Sequence, residues 1–223
     1  MRSFAIGLLV AALFVSAASA ELLVTANPLG QGKLAVLGAY INDANVQNSS
    51  GMSMGTLGGY VGYGITDKLD IYGQYGSSTM SGLPAGISSI TGSGYAVNLK
   101  YAVLGEGKDS PVSVAVGGGY KSTSSTATVT GLGSFNTPYS QISLGVGVSK
   151  IMAPCVPYGG LTYRSTNSNG TAQSTQIDAT IGTAIAWSMQ GAVLVEYTMQ
   201  SITPNGGTAY TSGQIAAGVA YAL

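Results

Sequence analysis

The chain has 223 residues, of which 7% are charged and 45% are hydrophobic, and glycine alone supplies 34 of them. Soluble globular domains normally carry about 25% charged residues, so this composition argues against an ordinary soluble domain. No stretch after residue 20 reaches the roughly 18 consecutive apolar residues that a membrane-spanning helix requires. A closed β-barrel is the other way to satisfy the backbone inside lipid.

The first twenty residues have the features of a secretory signal peptide. Arg2 precedes an apolar run over residues 4–15, and Ala18-Ser19-Ala20 forms a small-residue cleavage site. We therefore predict a signal peptide over 1–20, Sec-type export, cleavage after Ala20 and a single mature domain over 21–223 that begins at Glu21. Removal of Arg2 leaves seven basic and eight acidic side chains, a net charge of about −1, which argues against nucleic acid as a partner.

Apolar and small residues alternate along much of the remaining chain. Ile142, Leu144, Val146 and Val148 interleave with serine and glycine, and the same period of two recurs over 94–103 and 176–187. Such alternation over ten residues predicts long strands with one face toward lipid. The opposite face is mostly Gly, Ala, Ser and Thr, which suits a confined lumen better than bulk water.

The turn signals divide the chain into ten predicted strands, and the expected fold class is an all-β, transmembrane, antiparallel up-and-down barrel. The strands are predicted at 33–43, 53–66, 69–78, 92–104, 111–123, 139–151, 156–165, 175–186, 191–201 and 210–223. Tight connections at 67–68, 105–110, 152–155 and 187–190 alternate with longer ones at 44–52, 79–91, 124–138, 166–174 and 202–209. Short periplasmic turns and long external loops are the rule for outer-membrane barrels, and an even strand count places both termini on the short side. Eight or twelve strands are the alternatives.

The last predicted strand carries the most specific resemblance to a known family. In residues 214–223, Gly218, Tyr221 and Leu223 have the spacing of the terminal strand of small outer-membrane β-barrel proteins of diderm (Gram-negative-type) bacteria, which the barrel assembly machinery reads. Ala216 stands where that pattern has a polar residue, and Leu223 replaces the usual terminal aromatic. The resemblance implies residence in the cell outer membrane, with lipid and the assembly machinery as partners, and a porin-like architecture.

The reactive side chains that the sequence contains argue against an enzyme. The chain has no histidine, so the base that acyl-transfer and proteolytic barrels pair with Ser or Asp is missing. The single cysteine, Cys155, lies in a predicted tight turn and cannot form an internal disulfide. We expect no cofactor and no transition-metal site, because the ligand types that such sites use are absent or scattered.

Five charged residues are predicted to face the lumen: Lys100, Lys121, Arg164, Asp178 and Glu196. Mutual neutralisation is the economical account of charges buried inside a barrel. A solute-selecting role for the same charges is an alternative, and glycosidase-like chemistry by Asp178 and Glu196 is a weaker one.

Aromatic residues near the predicted strand ends are interpreted as membrane-interface girdles. They are Tyr40, Tyr63, Tyr75, Tyr101, Tyr158, Trp187 and Tyr197.

Two function classes fit these features. The first is a narrow passive pore for ions or small solutes, favoured by a lumen face rich in Gly, Ala and Ser. The second is a structural or surface-interaction barrel whose external loops bind an extracellular partner or nothing. The predicted external loops contain no charged residue, which argues against capture of polyanions by the loops. The solute, the partner and the oligomeric state are not encoded in any motif that we identify.

Overall fold

The computed structural model describes residues 25–44, 51–107, 110–168 and 171–223; the predicted signal peptide over 1–20 and the cleavage site lie outside these residues. The described residues contain ten strands: β1 Leu34–Ala44, β2 Ser53–Gly64, β3 Leu69–Ser81, β4 Ile87–Leu104, β5 Ser113–Val129, β6 Gly133–Ser149, β7 Cys155–Ser168, β8 Thr171–Ala186, β9 Gly191–Pro204 and β10 Tyr210–Ala222. Each strand pairs with the next, and β10 pairs with β1, which closes an antiparallel up-and-down barrel. The predicted fold class and the count of ten are confirmed. Within the described ranges, no helix is long and apolar enough to cross a membrane.

The barrel wall separates apolar from polar side chains strand by strand. On β9 the outward residues Val195, Tyr197 and Met199 are exposed, whereas the intervening Glu196 and Thr198 are buried inside. The same inside–outside alternation runs round the barrel and produces a continuous belt of exposed apolar side chains. A belt of this extent is not compatible with water and is the lipid-facing band of a membrane barrel.

The two ends of the barrel differ in how far the strands extend. We call the end where β1 begins and β10 ends the terminal end, and the opposite one the far end. The strands reach further at the far end than the sequence predicts: β5 and β6 continue to a turn over 130–132, β7 extends to Ser168 and β8 begins at Thr171. The predicted long loops at 79–91, 124–138 and 166–174 are therefore wrong. Beyond the bilayer the outer face of each strand meets water instead of lipid, so the hydrophobic alternation weakens while the hydrogen-bond ladder continues.

Two rows of exposed aromatic side chains border the apolar belt. The far-end row comprises Tyr40, Tyr75, Tyr95, Tyr120, Tyr163 and Tyr197, and the terminal-end row comprises Tyr63, Tyr101, Trp187 and Tyr221. Past Tyr95 toward the far end, the outward positions become Ser93 and Thr91, which marks the edge of the belt. The rows are the interfacial girdles expected of a membrane barrel. The interpretation of Tyr158 as a girdle residue is wrong, because its side chain is buried in the lumen and its hydroxyl donates to Glu196.

Glycines make room for inward-pointing tyrosine rings on neighbouring strands. The ring of Tyr158 lies over Gly182, where a methyl group would come 2.6 Å from the ring, and the ring of Tyr72 lies over Gly62 in the same way. Tyr158 and Gly182 are direct partners across β7 and β8. This packing fills the lumen with large side chains without bending the wall.

A prediction follows from the contact between Tyr158 and Gly182. Gly182→Ala should lower the free energy of unfolding by about 1–3 kcal/mol, because the added methyl displaces a packed ring that has no room to move. Gly73→Ala is the matched control, since nothing lies within 4 Å of the added methyl there. Urea unfolding of both variants in lipid vesicles measures the difference. Equal stability of the two variants would contradict the packing described.

Candidate functional site: the barrel lumen

A short stretch that precedes β1 occupies the terminal end of the lumen. We call residues 25–30 the inner segment. Ala26 within it is 4% exposed, and Lys100 from β4 donates to two of its carbonyls, Thr25 O at 2.9 Å and Asn27 O at 2.7 Å. The hydroxyl of Ser113 on β5 donates to the Asn27 side chain at 2.5 Å. The inner segment is thus held against β4 and β5.

Asp70 on β3 completes the attachment of the inner segment. Its carboxylate accepts from the Leu29 backbone N–H at 3.1 Å and from the Tyr72 hydroxyl at 3.0 Å, and it forms an ion pair with Lys100 at 3.1 Å. The lumen charges predicted from the sequence do not include Asp70. The alternation along β3 could have identified this carboxylate, because Asp70 and Tyr72 lie on the same face of the strand and that face points into the lumen.

A second ion pair lies further along the lumen. Arg164 Nε on β7 is 2.8 Å from Asp178 Oδ2 on β8, and neither side chain has any exposed surface. Gln176 donates to the other carboxylate oxygen of Asp178 at 2.6 Å. This fully enclosed pair agrees with the mutual neutralisation expected of buried charges.

The remaining predicted lumen charges are also inside the barrel. Glu196 accepts from Tyr158 at 3.2 Å and from Thr198 at 3.2 Å, and Lys121 is buried on β5. Asp43, which the sequence analysis also missed, is buried on β1 and accepts from Ser212 at 2.9 Å. The structure therefore distributes the lumen charges over separate local contacts, with Lys100 joined to Asp70 and Arg164 joined to Asp178.

The far end of the lumen is apolar on the side formed by β2 to β6. Met52, Met54, Met80, Ile90, Ala127 and Tyr139 form one buried cluster, with Leu83 and Ile87 packed against it. We call this set the far-end cluster. It is contributed by β2 to β6, and Ile202 on the opposite side of the barrel is 1% exposed at a similar depth. The side chains leave almost no accessible surface where a channel would open to the exterior.

Two cavities flank the inner segment at the terminal end. One, of about 80 Å³, lies against the glycine-rich wall of β5 and β6, including Gly117 and Gly145. The other, of about 290 Å³, lies on the opposite side and is lined mostly by apolar side chains of β1 and β7 to β10. Strand β1 carries apolar residues on both faces, and this part of the lumen explains the inner ones, because Leu37, Ala39 and Ile41 belong to its buried apolar cluster.

The predicted assembly residues lie at the junction of the first and last strands. Tyr221 and Leu223 are exposed on the outer wall, and Gly218 is buried on the inner face. Tyr221 pairs with Val36 of β1, and the Leu223 backbone N–H donates to the Leu34 carbonyl at 2.8 Å.

Cys155 is a free, half-buried thiol at the start of β7. No group of three His, Cys, Asp or Glu side chains in the described ranges could hold a metal ion.

Comparison with known proteins identifies the fold and no more. No family model matches the chain, and no curated protein matches it. The transport unit of the autotransporter AIDA-I from Escherichia coli aligns with a TM-score of 0.54 at 12% identity, covering 99% of this chain and 97% of that one. The beta domain of the Bordetella autotransporter BrkA aligns with a TM-score of 0.51 at 11% identity, covering 85% and 98%. This chain has the fold of membrane β-barrels, and identities this low carry no inference about activity.

Proposed function

We propose that this protein is an outer-membrane barrel with a closed lumen, serving as a structural or surface-interaction element. The observation that carries the proposal is the burial of the lumen along its length. The inner segment occupies part of the terminal end, the Arg164–Asp178 pair has no exposed surface, and the far-end cluster is buried. A water-filled channel would leave its lining side chains accessible to solvent.

The distribution of charge supports a surface role at the far end. Every charged side chain in the described ranges is either inside the barrel or on the terminal-end margins, where Lys33, Asp67, Lys68, Glu106 and Lys150 lie. The projecting parts of β4 to β8 carry mostly Ser, Thr and Asn instead, with Leu132 and Phe135 also exposed around the turn from β5 to β6. With the terminal end in the periplasm, the cell exterior meets an uncharged polar rim, which suits neutral partners or inert shielding better than polyanions. Membrane lipid surrounds the belt, and the assembly machinery inserts it.

A non-enzymatic role is part of the proposal. The two carboxylates that the sequence analysis weighed for glycosidase-like chemistry are both engaged, Asp178 by Arg164 and Glu196 by Tyr158 and Thr198. Both are enclosed in the lumen. Such carboxylates need a substrate between them and a water to complete the reaction, and neither has access to this position in the closed barrel.

The narrow passive pore predicted from the sequence is the second candidate. The two cavities beside the inner segment favour it, because they show that the wall encloses more space than its side chains fill. Conduction requires displacement of both the inner segment and the far-end cluster. In that event the charges near mid-lumen would set ion selectivity, as charged side chains do in other pores.

Electrical recording separates the two candidates. The refolded protein in a planar lipid bilayer should give no conductance steps above those of a heat-denatured sample in the same detergent. Stable single-channel steps from the folded protein would contradict the closed barrel. If steps occur, replacement of Asp178 and Glu196 by Asn and Gln should shift selectivity toward anions, because Lys100, Lys121 and Arg164 remain.

A further inference from the structure

The terminal-end lumen contains an apolar chamber that the closed-barrel role does not use. This chamber is the cavity of about 290 Å³ on one side of the inner segment. Its apolar wall comprises Leu37, Val156, Ala184, Ala192, Leu194 and Ala220, from five different strands. The interior of a membrane barrel is normally polar, so five adjacent strands that present apolar residues inward need a physical reason.

Side-chain packing supplies only part of that reason, because Leu37, Ala184 and Leu194 belong to one buried apolar cluster but space remains beside it. The far-end cluster closes its part of the lumen with methionine, isoleucine and tyrosine side chains, whereas the chamber wall uses three alanines at positions where larger residues would fill the space. An apolar cavity of about 150 Å³ stays dry and accepts a molecule such as benzene. The chamber is larger than that and approaches the lower limit of about 300 Å³ for small-molecule pockets.

The polar groups at the edge of the chamber define which ligands it excludes. Lys100 is the charged residue in its lining, and its ammonium group already contacts Asp70, Thr25 O and Asn27 O. An anionic ligand would have to displace these partners or bury its charge against alanine and leucine, which is costly. The opening lies beside Gln190 and Ala222 at the terminal end, and the enclosure by the barrel wall excludes macromolecules.

We propose that this chamber is a binding site for small uncharged apolar molecules, of the size of a monocyclic aromatic or a short alkyl chain. The ligand lies against Leu37, Ala184 and Leu194 and is covered on its other side by the inner segment. Its binding releases no charged group and needs no movement of the far-end cluster. The site rests on the proposed closed barrel, because conduction would displace the inner segment that covers the ligand.

The test uses fluorobenzene as the probe and the refolded protein in lipid nanodiscs, with ¹⁹F NMR to measure the bound fraction against empty nanodiscs. Ala184→Leu on β8 projects into the chamber, and Ala179→Leu on the lipid side of the same strand is the matched control. Wild type and Ala179→Leu should bind alike, whereas Ala184→Leu should bind at least about tenfold more weakly. Fluorobenzoate should also bind the wild type at least about tenfold more weakly than fluorobenzene.

Three results would overturn the proposal: no binding above that of empty nanodiscs, equal binding by the two leucine variants, or equal binding of fluorobenzoate. Folding of each variant is checked by its shift on an unboiled gel. If Ala184→Leu does not fold, Ala220→Leu on β10 replaces it, with the exposed, lipid-facing Ala217→Leu as its control. The same expected and contradicting outcomes apply to that pair.

Discussion

Asp178→Ala is expected to lower the free energy of unfolding by about 3–5 kcal/mol, because it leaves the Arg164 guanidinium without its carboxylate in an enclosed site. Arg164 and Asp178 are 2.8 Å apart with no exposed surface on either side chain. The measurement is equilibrium urea unfolding of the protein in lipid vesicles, followed by tryptophan fluorescence and by the gel shift of the folded barrel.

Two controls separate the unpaired charge from a general effect of mutation. The double variant Arg164→Met and Asp178→Leu removes both charges together and should recover most of the lost stability, since apolar replacement of a buried pair is often neutral or stabilising. Asp67→Ala, in an exposed turn at the terminal end, should cost less than about 1 kcal/mol. A single Asp178→Ala variant as stable as Asp67→Ala would mean that the pair is hydrated.

Deletion of residues 221–223 is expected to abolish membrane insertion, with folded protein reduced to below about a tenth of the wild-type level. The barrel closes through β1 and β10, and this deletion removes the pairs Ala35–Ala222 and Val36–Tyr221 together with the hydrogen bond from Leu223 to Leu34. It leaves the start of β1 as an open edge in lipid, where unpaired backbone groups each cost several kcal/mol. The measurement is the amount of heat-modifiable protein in isolated outer membranes.

The matched control for that deletion keeps the backbone and changes the last side chain. Leu223→Phe restores the terminal aromatic that the resembled family favours, and the Leu223 side chain is exposed on the outer wall. This variant should assemble as well as the wild type or better. Wild-type levels of folded protein after the deletion would show that the Gly218-Tyr221-Leu223 spacing is incidental to assembly.

The sequence predicts the membrane-embedded part of the barrel well, because one face of each strand meets only lipid and the other meets only the lumen. Lipid outside and a confined lumen inside impose the period of two that identifies β4, β6 and β8, and the inward positions of Arg164, Asp178 and Glu196 follow from the same alternation. The far-end extensions are missed for the converse reason. Over 122–128 every residue except Ala127 is Ser or Thr, which is the composition of a loop, although β5 continues to Val129.

The contents of the lumen are less predictable than the wall. The alternation along a strand shows which side chains point into the lumen. Which side chain each of them contacts depends on the stagger between neighbouring strands and on any segment that folds back into the barrel. Lys100 contacts Thr25 and Asn27, some 75 and 73 residues away, because the inner segment enters the barrel. No pattern in residues 25–30 predicts that entry. Lys100 and the Arg164–Asp178 pair also lie in separate parts of the lumen because of the strand register, and the register cannot be predicted from composition.

The closed lumen is tested most directly by the chemical accessibility of a cysteine in its middle. Thr198 is 1% exposed on the inner face of β9, and Ser134 is exposed at the far end of β6. In a Cys155→Ser background, Ser134→Cys should react readily with a charged, water-soluble methanethiosulfonate. Thr198→Cys in the folded, membrane-embedded protein should remain unmodified until the barrel is unfolded. Modification of Thr198→Cys at a rate comparable to that of Ser134→Cys would show a water-filled lumen and would contradict the closed barrel.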